Sequence, residues 1–200
     1  MSDYRRDIEE YIVREAKPLD KFGHQPRLYE LTVRIGSGQA YDDDVVFAAA
    51  WLHDLGVFAG HRPEDPEALA KWDNVAYAME QAPRFLREAG FPVHKIGGVV
   101  EAIRTHQVYA TPTTIEGTIL RDADILEQLG AVGILRTVCK IGRDTRFPDF
   151  TAAEKYLKNA LNTLPGQIRL DSTRELAKAK IEMLESFLAG LQEEAKPALY

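Results

Sequence analysis

The residues best placed to do chemistry are His53 and Asp54, an imidazole beside a carboxylate, at the end of the apolar run Ala48-Ala49-Ala50-Trp51-Leu52 and just ahead of Leu55-Gly56. A helix that buries Val45, Val46, Ala49, Leu52 and Leu55 carries the pair inward with it. An ionised carboxylate is costly to bury unless it is paired or bound to a cation, so something positive is expected beside Asp54. A His-Asp doublet also arises by chance in many chains, and its weight here comes from the remaining donors. His24 lies upstream in His24-Gln25-Pro26-Arg27, and Asp122-Ala123-Asp124 lies downstream at the head of another apolar helix. Nitrogen and oxygen donors on three separate helices are how a helical bundle builds a metal site in its core. The three segments stand tens of residues apart, so no local turn can bring them together.

Two imidazoles and two carboxylates make a mixed N/O set that suits a divalent first-row ion better than one preferring thiolates. With four protein ligands, a six-coordinate ion keeps two positions for water or a substrate oxygen, whereas a tetrahedral zinc site would be closed. Asp122 and Asp124 point about 200° apart on a helix, so they do not both reach one ion. Asp124 shares a face with Leu120 and Gln128; Asp122 is read as a supporting partner or a helix-start carboxylate. Arg27 follows His24 by three residues and faces nearly the same way, where its planar donor fork suits phosphate. A structural salt bridge is the alternative for Arg27, and Lys71 and Arg121 are weaker candidates for the same service.

These residues resemble the HD-domain metal-dependent phosphohydrolases, whose pattern is a His, a His-Asp doublet and a distant Asp. The resemblance covers most of the chain. It is to the bacterial branch with a His and Arg three apart, here His24 and Arg27, then an Ala-Ala-x-Leu-His-Asp block from Ala49 to Asp54. An Ile-x-x-His segment follows at Ile103 to His106, then an Asp-Ala-Asp-x-Leu-x-x-Leu-Gly-Ala-like block from Asp122 to Ala131, continuing into Val132-Gly133-Ile134-Leu135-Arg136. Where some relatives place a lysine after His-Asp-x-Gly this chain has Val57, so no role for a lysine there carries over.

The resemblance implies an all-α, single-domain helical bundle of the HD-domain type over residues 1–200. Its metal-site core spans about 20–130, and C-terminal helices at about 150–195 pack on it. It implies a metal-dependent phosphohydrolase cleaving an ester or anhydride of a small phosphorylated molecule, a nucleotide above all. The metal ligands would be His24, His53, Asp54 and Asp124, with Asp124 in the place of the family's terminal ligand. Asp54 would also orient a water, Arg27 would hold phosphate, and His106 would line the pocket or meet the leaving group, with a satisfied helix-end histidine as the alternative. One divalent ion is expected, Mn, Co, Ni, Fe or Mg, with Zn the poorer fit. Two other readings stand beside this one. A di-iron HD-type oxygenase would recruit His61, His94 or His106, although His94 and His106 lie about 120° apart around a helix and do not favour a shared ion. A non-catalytic nucleotide- or metal-binding helical protein is the other.

The elements that must position these groups follow from periodicity. Tyr4, Ile8, Tyr11 and Ile12 mark one helix over 3–17, ended by Pro18. Lys21 to Pro26 is turn-rich, with His24 at the mouth of a helix that has Pro26 at its first position and runs to Gly36 or Gly38. Asp42, Asp43 and Asp44 supply a cap and acidic first turn for the His53 helix. A loop is expected over 57–66, then helix over 67–89 with a break near Pro83, and another from Val93 to about His106. After a loop at 107–115, Thr118 to Leu129 is the Asp124 helix; Gly130 interrupts it, a second segment runs to about Gly142, and Arg143 to Phe150 is a loop. Helices over 151–164 and 172–194 complete the chain. Phe47, Trp51 and Trp72 read as core or pocket wall, and Gly97-Gly98 as part of an apolar helix rather than a phosphate loop.

Composition sets the outer bounds. Two hundred residues at 45% hydrophobic and 28% charged are ordinary for a globular domain with a sizeable core. A net charge of -6 argues against binding nucleic-acid polymer. Cys139 is the only cysteine, so no intrachain disulfide forms, and with no apolar stretch of membrane-spanning length a cytoplasmic protein without a membrane partner is expected. The oligomeric state is open, a homodimer included. No Gly-x-Ser-x-Gly and no Cys-His pairing supports covalent acyl chemistry.

Overall fold

The computed structural model describes residues 3–18, 23–142 and 147–195. Among them the regular structure is helical, and the only strand-like pairing is an isolated bridge between Ala59 and Arg62. The all-α expectation is met. The chain divides into two compact units, Met1–Arg121 and Asp122–Tyr200.

In the first unit the central element is α3 (Asp43–Leu52), whose residues from Val45 to Leu52 are all buried. A helix apolar on every side can be covered only by neighbours on every side. Those neighbours are α1 (Tyr4–Glu15), α2 (His24–Gly36) and α6 (Ile96–Thr105). Ile8 and Ile12 from α1, Leu28, Leu31 and Ile35 from α2, and Val99, Ala102 and Ile103 from α6 line this core.

Polar contacts fix the start of α3. Asp42 caps it, accepting from the Asp44 and Val45 N–H groups, as the acidic run suggests. Arg5 donates to Asp43 at 2.8 Å and Asp44 at 2.6 Å, and Lys95 to Asp42 at 2.9 Å and Asp44 at 2.7 Å. Burial opposes the charge on Asp44, but hydrogen bonds from Arg5, Lys95 and Tyr4 outweigh it and hold this carboxyl well below the usual range. The helix that ends at His53 is thereby anchored at its other end.

Several boundaries differ from expectation. Helix α2 begins at His24, which places Pro26 third in the helix, still within the first turn where a missing N–H leaves no bond unmade. The 67–89 segment breaks at Lys71–Asp73, not near Pro83, giving α4 (Pro66–Ala70) and α5 (Asn74–Glu88). Asp73 causes the break by accepting from the Val75 and Ala76 N–H groups, whereas Pro83 stays inside α5. Helix α7 (Ile115–Glu127) starts three residues earlier than Thr118, because the Thr114 hydroxyl accepts from the Gly117 N–H and caps it. Gly117 itself lets the chain pass close to Thr105, since a Cβ there would lie 2.7 Å from the Thr105 hydroxyl.

The second unit takes the last turns of α7 and then α8 (Gly130–Val138), α9 (Phe150–Thr163) and α10 (Asp171–Ala195), which pack pairwise. Gly130 adopts φ +71° between α7 and α8, as an interrupting glycine should. Leu157, Ala160, Ala177, Leu184 and Leu188 are buried in this unit. The loop expected over Arg143 to Phe150, and the turn around Lys21, lie partly outside the described residues. No helix among the described residues is long and apolar enough to cross a membrane.

Candidate metal centre

Three elements of the first unit deliver the site. Helix α2 presents His24 in its first turn. Helix α3 ends at Leu52, so His53 is its C-cap and Asp54 the residue after, in the turn before a 3-10 segment over Leu55–Val57. Asp54 has φ -97° and ψ 13°, the bridge region in which many site residues are found. The reversal right after the helix turns His53 and Asp54 toward one point, which a continued helix would not, since neighbours on a helix diverge by about 100°.

His24 and His53 are buried, and their Nε2 atoms are 3.3 Å apart. Asp54 Oδ2 is 3.7 Å from the first of these nitrogens and 3.6 Å from the second. Asp54 thus faces two imidazoles, and a cation held among the three would supply the positive charge expected beside it. The three atoms form a nearly equilateral triangle, and from edges of 3.3, 3.6 and 3.7 Å a point equidistant from all three lies about 2 Å from each. That is a metal–ligand distance. Proton placement fits as well: His53 Nδ1 is 2.9 Å from the Ala50 carbonyl, so it carries the hydrogen and Nε2 presents its lone pair inward. This donor set suits a divalent cation.

His106 joins the cluster from the end of α6. Its ring lies 4.9 Å from that of His53, and ligand atoms of His53, Asp54 and His106 all fall within 4.8 Å of one another. Its Nδ1 donates to the Ile103 carbonyl at 2.6 Å, which leaves Nε2 to accept from the Gln107 amide at 3.0 Å. His106 is therefore a satisfied helix-end histidine that stands beside His53.

The other expected residues fall as follows. Arg27 folds back over the turn before His24, so that a Cβ on Gly23 would come within 2.8 Å of its Nη1. Asp124 lies on α7, one turn past Arg121, and accepts from the Gln128 amide at 3.2 Å, as their shared face requires. Asp122 differs from one expectation, since it does not stand at the start of its own helix. Fully buried in the middle of α7, it accepts from the backbone N–H groups of Arg169 and Leu170 where α10 begins. Arg121 is buried and donates to the Val108 carbonyl at 2.7 Å, while Lys71 is exposed at the end of α4.

His61 has its nitrogens 3.1 Å from Glu15 and 3.0 Å from the Tyr77 hydroxyl, and His94 is exposed. Neither belongs to a group of metal-ligating residues among the described residues. Two contacts go beyond the expected roles. Trp72 donates its indole N–H to the Gly56 carbonyl at 2.8 Å, and Gly56 has no room for a side chain against the Asn74 backbone; together they fix the turn after Asp54. Gln107 holds His106. An X-Gly after a His-Asp doublet hints at the tight turn, but nothing in the sequence pairs Trp72 with it.

The all-α fold, with its buried His/Asp cluster able to hold a divalent ion, is similar to that of HD-superfamily hydrolases of known structure. Similar proteins are found in bacteria. The chain is 27% identical over 176 residues to the uncharacterized protein YpgQ of Bacillus subtilis, covering 86% of this chain and 82% of that one. The crystal structure of YpgQ in complex with ADP superposes with a TM-score of 0.71 at 24% identity, covering 96% of this chain and 94% of that one. A predicted HD superfamily hydrolase from an uncultured Thermotogales bacterium gives 0.67 at 25% identity, covering 94% and 91%. No family model matches.

Proposed function

We propose that the protein is a metal-dependent phosphohydrolase acting on a small phosphate ester or anhydride, a nucleotide being the substrate that fits best. The observation that carries the metal-dependent part is the triangle of His24 Nε2, His53 Nε2 and Asp54 Oδ2 around a point at metal–ligand distance. The hydrolase part is supported by the similar HD-superfamily hydrolases, and the nucleotide by the ADP complex of YpgQ.

In this reading His24, His53, Asp54 and Asp124 hold one divalent ion, with Asp124 included on the sequence pattern. Mn, Co, Ni, Fe or Mg suits the set. Such an ion, when bound, lowers the pKa of water and polarises a phosphoryl oxygen. The chain's own groups do the rest. His53 keeps its hydrogen on Nδ1 through the Ala50 carbonyl, so its Nε2 stays a lone-pair donor to the cation. Asp54 accepts a hydrogen of the attacking water and aims its oxygen at phosphorus. Arg27 offers its planar fork to the non-bridging oxygens. His106 borders the leaving group; to donate a proton there, its Nε2 must first gain one, and the Gln107 side chain must then turn its carbonyl toward it.

The test is release of phosphate or pyrophosphate from a nucleotide panel with added manganese, cobalt or nickel. Asp54→Ala and Asp124→Ala are each expected to lower turnover by at least about 100-fold and to weaken manganese binding measured by calorimetry. Turnover that survives both substitutions removes this site as the seat of the activity.

A further inference from the structure

Among the exposed large hydrophobic side chains Tyr109 stands out at 86% exposure, and it stands three residues from His106. Isolated apolar side chains on a surface are common and by themselves mean nothing. What distinguishes Tyr109 is the rigidity of its setting. The Gln107–Ala110 turn is closed by the Ala110 N–H on the Gln107 carbonyl at 2.9 Å. The Gln107 side chain is fastened to His106 Nε2 at 3.0 Å, and the Val108 carbonyl accepts from the buried Arg121 guanidinium at 2.7 Å. Further along the same loop, the Thr113 hydroxyl donates to Glu101 at 2.7 Å. A buried arginine thus helps to fix a turn whose most exposed side chain is Tyr109.

We infer that Tyr109 is the platform on which the planar ring of the substrate stacks, so that this loop selects nucleosides over bare phosphates. The inference rests on the phosphohydrolase reading of the neighbouring cluster and adds to it the residue that recognises the base. Three residues of chain reach at most about 10 Å, so the backbones of Tyr109 and His106 lie within the span of a single nucleotide. A ring face recognises every base, since each has a π surface, and the phenol hydroxyl is not needed for stacking. The platform therefore favours nucleotides as a class without choosing a base.

The test compares ADP with pyrophosphate, which carries the same diphosphate without a ring. Affinities are measured by calorimetry with manganese present for the full chain and for Tyr109→Ala, Tyr109→Phe and Tyr109→Trp, with circular dichroism as the check on folding. Tyr109→Ala is expected to weaken ADP by roughly 5- to 100-fold and leave pyrophosphate within about twofold, and the two aromatic variants to keep ADP affinity. In turnover the same variant raises KM for nucleotides and leaves kcat alone. ADP affinity unchanged in Tyr109→Ala overturns the inference, as does equal loss of ADP and pyrophosphate, which would mark a structural role for the loop. A changed oligomeric state at unchanged ADP affinity overturns it too. The hydrolase reading fails separately: no release of phosphate or pyrophosphate from any nucleotide with added manganese, cobalt or nickel rejects it whatever Tyr109 does to binding.

Discussion

A single histidine tautomer decides what the cluster can bind. Because the Ala50 carbonyl takes the Nδ1 hydrogen of His53, the other ring nitrogen faces His24 and Asp54 with a lone pair, and three donors meet where one cation would satisfy them all. Arg27 shows the same dependence on one neighbour. Its Nη1 occupies the space that a side chain at Gly23 would fill, at 2.8 Å from the position of a Cβ. Gly23→Ala is therefore expected to leave stability nearly unchanged, since the far end of a flexible side chain yields easily, while moving the guanidinium off its position. If Arg27 binds phosphate, KM rises about 10-fold in steady-state assays with kcat little altered, within the cost of a misplacement near 1 Å. Arg27→Lys should produce a similar rise, because an ammonium cannot offer the planar fork.

Helix α3 shows how an element brings such residues to their place. Its burial on all sides fixes its path, and the Arg5 and Lys95 contacts to Asp42, Asp43 and Asp44 fix where it begins. Asp44 has a folded pKa below its unfolded value, so its stabilisation is fully present above the ordinary carboxylate range and is lost as pH falls through the depressed folded value. Asp44→Asn is expected to cost about 1–2 kcal/mol at pH 7, after allowance for partial exposure, and the difference from wild type should shrink steadily below about pH 4. Urea unfolding at several pH values measures both. Much of this element was legible in advance: the acidic cap, the apolar run and the doublet at its end are local patterns. Its partners were not. Arg5 and Lys95 are distant in sequence, and any of the chain's other basic residues would have fitted the expectation equally well. The break after α4 was misplaced for the same reason, since Asp73 competes with Pro83 only once the cap geometry is known.

At the scale of the molecule, Asp122 ties one helix to the start of another within the second unit. Its carboxylate holds two backbone N–H groups that no helical bond could satisfy. Asp122→Ala is expected to destabilise the protein by about 2–4 kcal/mol in denaturant unfolding while leaving manganese affinity near wild type, and Asp122→Asn to recover part of the loss. Loss of metal affinity at unchanged stability would instead make Asp122 part of the site. The amino-acid sequence alone determined the helical class, most helix positions, and which residues have the donor atoms a divalent ion needs, because periodicity, caps and side-chain chemistry are local properties. Tertiary structure decided that His24, His53 and Asp54 meet, that His106 stands beside them while His61 is engaged by Glu15 and Tyr77, and that Asp122 serves α10. Those outcomes depend on which distant helices share a core, and packing is a property of the whole chain at once.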